Sequence, residues 1–258
     1  MFIKAWPVDP QAQFTEKNVS QEQLKTIHQK LIHRHIAWLY ILRQQLLVPT
    51  SWEHVNQSKY HKGLAEKRMK QFGLNAFDED IKKNLQHYLK HDDIETLTKN
   101  QNVATQIIHA QSQDLSDLRS KDLLDDFRQI ELQKTLNDFY THQGKAERIK
   151  KFPLPRQYGS MSIIFIRIFI FLLPFGLIPE FNKLGEHGIW LAIPIIVAVS
   201  WVYIVMELIG DYSENPFEGL GNDIPMLSLC RTIEIDLKEM LGETDLPEPI
   251  QPMNGVLM

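Results

Sequence analysis

Three histidines fall within one short stretch, His28, His33 and His35, and imidazole is the side chain most often recruited to hold a transition metal. On a helix His33 and His35, two positions apart, point about 200° from one another, whereas His28 and His35, seven apart, share a face. No HExxH pattern or glutamate-rich partner accompanies them, so a surface or packing role is expected, with no metal and no cofactor. A second cluster, Asp211, Glu214, Glu218 and Asp223 with Asn215 and Asn222, offers the oxygen ligands a divalent cation prefers. A solvated loop is the simpler expectation there. No GxSxG, P-loop or GxGxxG occurs, and the single cysteine, Cys230, can form neither an intramolecular disulfide nor a CxxC pair. No enzymatic activity is expected, and a net charge of −4 argues against a nucleic-acid partner.

The remaining unusual charges lie inside apolar runs. Met161 to Phe181 and Ile189 to Ile209 are each long enough to cross a bilayer core, which takes about 20 residues. The link between them, Asn182 to Gly188, permits only a tight reversal, so the two form a transmembrane hairpin whose outer ends face one side. The alternative is a pair of buried helices in a soluble protein, but these segments are apolar on nearly every face and the rest of the chain offers too little apolar surface to bury them. Arg167, about six residues into the first segment, must either reach back to the interface or face protein or a water-filled pathway, and Glu207 near the end of the second has the same choice. Pro174, Pro179 and Pro194 are tolerated where the helices kink or neighbours satisfy the freed carbonyls. Lys145, Arg148, Lys150, Lys151 and Arg156 precede the hairpin and only Lys183 lies in its loop, so both outer ends are expected in the cytoplasm. The inner (plasma) membrane is the expected location, since helical spans rather than barrels reside there. No signal peptide is expected, because Met1 to Pro7 contains no continuous apolar run.

An all-α chain is expected, with a cytoplasmic helical region over 1–158, the hairpin over 159–210 and a cytoplasmic C-terminal segment over 211–258. Residues 1–158 hold 24 basic and 19 acidic side chains, residues 159–258 hold 4 and 13, so the parts carry +5 and −9. Leu24, Ile27, Leu31, Ile36, Leu39, Leu42 and Leu46 recur at helical spacing and stop at Pro49. Further helices are predicted over 79–90, after the Gly73-Leu74-Asn75 break, over 93–112 with Asp92 or Asp93 as N-cap, and over 118–142 with Gly144 as C-cap. Pro153-Leu154-Pro155 reads as an extended elbow, and the proline-rich tail after Leu246 as disordered or loosely draped.

Four stretches, in order, resemble the bacterial branch of the bestrophin family. His33-Arg34-His35-Ile36-Ala37-Trp38-Leu39 is similar to its first cytoplasmic helix, and Ala146-Glu147-Arg148-Ile149 with Pro153-Leu154-Pro155 to its elbow before the membrane. Leu172-Leu173-Pro174-Phe175-Gly176-Leu177 is similar to its third membrane helix. Asn215-Pro216-Phe217, Asn222-Asp223-Ile224-Pro225 and Arg231-Thr232-Ile233-Glu234-Ile235 resemble its C-terminal signature. The resemblance implies a homopentameric ion channel embedded in the lipid bilayer, with four membrane helices per subunit and one central pore. Monovalent ions, chloride and other anions above all, would be conducted, although some bacterial relatives favour cations. A membrane-tethered scaffold or regulatory short form without its own conductance is the alternative.

The resemblance also implies site residues. Aligning Leu132-Gln133 and Leu136-Asn137-Asp138 with the family places Ile130 at a cytoplasmic constriction, with Phe127 one turn earlier; the alternative is that both are core residues of a bundle. A ring of apolar side chains can gate by dewetting without binding the ion. Asn215 and Asp223 match two positions of the calcium clasp of animal members, but Leu220 and Tyr212 stand where other ligands are expected, which puts calcium binding in doubt. Ala146 replaces a cysteine that many relatives carry there. The family's two further membrane helices and its hydrophobic neck would precede Met1, so this chain by itself is not expected to complete the pore.

Overall fold

The computed structural model of the chain describes residues 20–50, 67, 85–152, 156–185, 187–212, 216–217, 223–252 and 257. Among the described residues there are seven helices and no strand: α1 (Gln21–Leu47), α2 (His91–Thr98), α3 (Val103–Ser120), α4 (Asp126–Lys151), α5 (Arg156–Asn182), α6 (Gly188–Tyr212) and α7 (Met226–Leu241). They divide into two compact units. One runs up to Arg148 and resumes at Phe217, and the other is Ile149–Pro216.

The second unit is the hairpin. Met161–Asn182 within α5 and Gly188–Gly210 within α6 are 22 and 23 residues of apolar helix, long enough to span a membrane. Most of their large side chains, among them Phe165, Phe171, Phe175, Trp190 and Trp201, are exposed rather than packed inside the protein. A soluble protein would bury these helices, so the core-helix alternative fails and lipid is the solvent that fits. Both helices continue through Pro174, Pro179 and Pro194. Phe169 and Tyr203 meet across the hairpin at 4.7 Å. At the reversal a Cβ on Gly188 would fall 2.0 Å from the Phe181 carbonyl oxygen, so only glycine fits the tight return.

The first unit is built around α1. Ser20 and Gln23 form a reciprocal capping box at its start, and Val48 turns extended ahead of Pro49 at its end. Between them the helix is buried on two sides. Leu31, Trp38, Ile41, Leu42 and Leu46 pack into a large core with Leu97, Ile107, Ile108, Leu132, Leu136 and Phe217, while Ile32, Ile36 and Tyr40 pack against Leu227 and Cys230 of α7. Each fully buried isoleucine contributes about 1.5–3 kcal/mol relative to exposure. The buried Arg34 donates to Asp93 of α2 at 3.0 Å, to the Ala110 carbonyl of α3 at 3.2 Å and to Asp114, which also accepts from Lys30 at 2.7 Å. One guanidinium thus ties three helices together.

Helix boundaries depart from the sequence expectation in four places. The helix predicted over 93–112 is two helices, because Asn102 accepts from the Thr105 amide at 3.0 Å and starts α3 anew. Asp92 and Asp93 sit in the first turn of α2 rather than at its cap, which is Lys90. The helix predicted over 118–142 begins only at Asp126: Asp122, left-handed at φ 56, closes α3 with Leu123 N donating to Leu118 O at 3.0 Å and Asp122 N to Arg119 O at 3.0 Å. Gly144 lies inside α4 and caps nothing, because polar and packing contacts beyond it carry the helix to Lys151. Of the helix predicted over 79–90, residues 79–84 lie outside the described residues. Leu85 and Gln86 are helical and His87 and Tyr88 form a turn, with Leu85 and Leu89 buried. The Pro153-Leu154-Pro155 elbow and the Gly73-Leu74-Asn75 break also lie outside them.

Helix α7 has no counterpart in the sequence expectation, and its docking is polar at the centre. Glu234, fully buried, accepts from the Tyr40 hydroxyl at 2.5 Å and the Tyr88 hydroxyl at 2.6 Å, with Lys238 Nζ at 3.4 Å and Arg231 Nε at 3.8 Å. Burial, followed by the Glu234 contact, pushes both phenols far above their ordinary ionisation range, so they stay hydrogen-bond donors at any physiological pH. Gly242, left-handed at φ 73, ends the helix and turns the chain so that Glu243 meets His33 Nε2 at 2.8 Å and Gln29 Nε2 at 3.0 Å. Beyond it the chain through Pro252 has no regular structure, and Ile250 packs on the α1–α7 cluster, which matches a loosely draped tail. Tyr40→Phe removes one donor from a buried carboxylate and should lower unfolding stability by about 1.5–3 kcal/mol, read as a lower guanidinium midpoint by tryptophan fluorescence.

Candidate functional site

Helix α4 carries Ile130, which the family resemblance places at a constriction, and Phe127 one turn earlier. Asp125 starts it, accepting from the Arg128 amide at 3.0 Å while its other oxygen meets Arg128 Nε at 3.2 Å. One side of the helix is committed to packing. Leu132 and Leu136 enter the core, Ser112 Oγ donates to Gln133 at 2.8 Å, and the Tyr140 hydroxyl donates to the Thr105 carbonyl at 3.3 Å. Phe139 lies 4.8 Å from the His35 ring and 5.1 Å from Trp38.

Gln143 locks that side in register. Its Oε1 accepts from Trp38 Nε1 at 3.0 Å, and its Nε2 reaches Glu147 at 2.8 Å, Thr105 Oγ1 at 2.9 Å and Asn102 Oδ1 at 3.3 Å. Asn102 Nδ2 closes the ring by donating to Glu147 at 2.9 Å. A single buried amide therefore joins α4 to α1 and to the N-terminus of α3. Sequence reasoning missed it, although a glutamine seven residues after Leu136, on the same helical face, was the available signal.

The face opposite this lock is solvent-exposed. Phe127 is 81% exposed and Ile130 54%, so neither belongs to the core of its own protomer, contrary to the bundle-core alternative. Two large apolar side chains presented outward from a helix fixed this firmly are available to another surface or to an aqueous path lined by several copies.

The other candidates are dispersed. Glu207 accepts from Ser162 Oγ at 2.7 Å across the hairpin, a neutral partner that suits a carboxylate near a membrane boundary. Arg167 is exposed on α5, and among the described residues no ion pair joins it to Glu207. Asp223 accepts from the Ile224 amide at 2.7 Å, and Asn215, Glu214, Glu218, Leu220 and Asn222 lie outside the described residues, as do the side chains of Asp211 and Tyr212. The histidines do not converge. His33 pairs with Glu243, while His35 sits between Trp38, at 5.3 Å, and Phe139. Burial drops the His35 pKa to about 4, and burial pushes the Cys230 thiol up to about 11, which leaves the lone cysteine unreactive at neutral pH.

The sequence profile of the Bacterial/Fungal Bestrophin protein family matches residues 11–239. The chain belongs to that family. Among curated relatives, this bestrophin is 29% identical over 168 residues to the voltage-dependent anion channel-forming protein YneE of Escherichia coli K12, covering 65% of this chain and 53% of that one. It is 27% identical over 117 residues to the voltage-dependent anion channel-forming protein alr2987 of Nostoc, covering 45% and 36%. The chain thus spans about half the length of the first of these relatives. The crystal structure of a bacterial bestrophin homolog from Klebsiella pneumoniae superimposes with a TM-score of 0.68 at 18% identity, over 86% of this chain and 69% of that one. The fold is shared with that structure, and with its two exposed apolar helices this bestrophin is a membrane protein.

Two outcomes follow from the α4 dock. Gln143→Leu leaves the buried Trp38 indole N–H without its acceptor and takes the Gln143 donor away from Thr105 Oγ1 and Glu147, and should cost about 2–3 kcal/mol of unfolding free energy in detergent. For His35, the folded-state pKa of about 4 lies below the ordinary 6.5, so its neutral form contributes stability that is full above pH 6.5 and lost as pH falls towards 4. Linkage puts the loss near about 2 kcal/mol at pH 5 and about 3 kcal/mol at pH 4. Unfolding midpoints measured across pH 7 to 4 should fall more steeply for the native sequence than for His35→Phe.

Proposed function

We propose that this bestrophin is a subunit of a channel that conducts monovalent anions, chloride above all, through a central pore shared by five protomers. The observation that carries the reading is the outward face of α4, where Phe127 and Ile130 stand exposed opposite a side locked by Gln143. Five copies of Ile130 around one axis would form a narrow apolar ring that opens and closes to water without binding the ion. The names of the relatives, anion channel-forming proteins, fit the same reading.

The assembly sits in the inner (plasma) membrane with the helical body and the C-terminal segment on the cytoplasmic side. The basic residues Lys145, Arg148, Lys150, Lys151 and Arg156 ahead of the first apolar span, against Lys183 alone in the hairpin loop, support that orientation. No calcium or other cofactor is assigned.

Native mass spectrometry of the endogenous protein in mild detergent should report five protomers, and that same endogenous assembly in planar bilayers should conduct chloride. Ile130→Ala widens and wets the ring, and should raise single-channel conductance by about twofold or more. Single protomers without any flux would replace this reading by that of a membrane-tethered helical scaffold.

A further inference from the structure

Helix α4 runs without a break from Asp126 to Lys151 and contains no proline, so the direction of each side chain follows from helical spacing. Arg148 lies 18 residues after Ile130, which is about five full turns, and therefore points the same way about 27 Å further along the axis. Arg148 is exposed, and among the described residues it makes no ion pair. A Cβ added at Gly144, one turn before it, would meet nothing within 4 Å, so this face of the helix is open there too.

The residues between the two complete a consistent strip. Taking Ile130 as the origin, Asn137 and Thr141 fall within about 20° and Lys134 and Gly144 within about 40°. Lys134 is neutralised by Glu131 at 2.8 Å. Asn137 Oδ1 accepts from Gln133 Nε2 at 3.3 Å, which leaves the Asn137 amide N–H groups to donate outward. The carboxylates stand aside: Glu131 and Asp138 are about 100° and 80° away, and Glu147 is engaged by Gln143 and Asn102 on the packed side. Asp126, on the far side of Ile130, is ion-paired to Arg119. Lys145, about 60° to one side, adds to the positive end.

We infer that Arg148 lines the same conduit as Ile130 and supplies the positive charge that favours anions over cations. The inference rests on the channel reading proposed above, in which the Ile130 ring itself is apolar and indifferent to the sign of the ion. Charge discrimination must then come from elsewhere along the wall, and among the described residues of α4 the unpaired ionic group in line with Ile130 is Arg148. A ring of guanidinium groups raises the local concentration of anions and repels cations in a confined aqueous space.

The test is the chloride-to-potassium permeability ratio, taken from the reversal potential of the assembly purified from its native membrane, each variant being introduced at the native locus, in planar bilayers under a KCl gradient. R148E should lower the ratio by about tenfold or more, R148Q by less, and R148K should keep the native value. R148C, reconstituted and then labelled with a negatively charged methanethiosulfonate, introduces the same charge after folding is complete, because the buried Cys230 does not compete. I130A is measured alongside. If I130A alters conductance while R148E and labelled R148C leave the ratio within about twofold of native, Arg148 is not the selectivity determinant and the channel reading stands. If neither position affects the current, or the native protein carries none, the channel reading falls and this inference with it.

Discussion

Helix α1 is buried along two faces, and several of the polar groups it carries inward find partners on the helices that surround it. Arg34 reaches α2 and α3, Trp38 reaches α4, Tyr40 reaches α7, and His33 reaches the chain just beyond α7. A buried polar group left without a partner costs more than its bond returns, so these contacts are obligatory once the apolar faces close. The helical body is therefore specified by its polar partners as much as by its core. Leucines and isoleucines tolerate sliding and rotation, whereas a carboxylate held by two phenols and a guanidinium shared by two aspartates do not.

That specificity is what gives α4 a defined outward face. The helix is weakly amphipathic: it carries charged residues on most sides, and nothing in its apolar pattern alone dictates which side packs. Gln143 and Tyr140 decide it by anchoring to Trp38 and Thr105, and Phe127, Ile130 and Arg148 are left outside as a consequence. His35 adds a pH-dependent element at the same dock, since its neutral ring fills the space between Trp38 and Phe139.

The hairpin follows the opposite rule. Its two helices need few neighbours within the chain because the bilayer takes the place of a protein core, and their backbone groups are satisfied within each helix. Among the described residues, polar side-chain contact between them is that of Ser162 with Glu207 near one end, and the reversal depends on Gly188 fitting under the Phe181 carbonyl.

The two membrane segments, their hairpin connection, the long first helix and the family were legible in the amino-acid sequence, because each rests on local composition or on short ordered motifs. An apolar run of membrane length stays apolar in any context, and Pro49 ends a helix whatever surrounds it. The breaks at Asn102 and Asp122, the continuation through Gly144 and the existence of α7 were decided by tertiary contacts. Asn102 caps a helix where spacing suggested continuity, Leu118 and Leu123 close a turn that periodicity reads straight through, and α7 hides a glutamate in its buried stripe, which defeats any apolar pattern. The exposure of Phe127 and Ile130 belongs to the same class. By periodicity alone a phenylalanine and an isoleucine in a helical sequence suit a core as well as a constriction, and the docking of the opposite face, through one buried glutamine, is what leaves them outward.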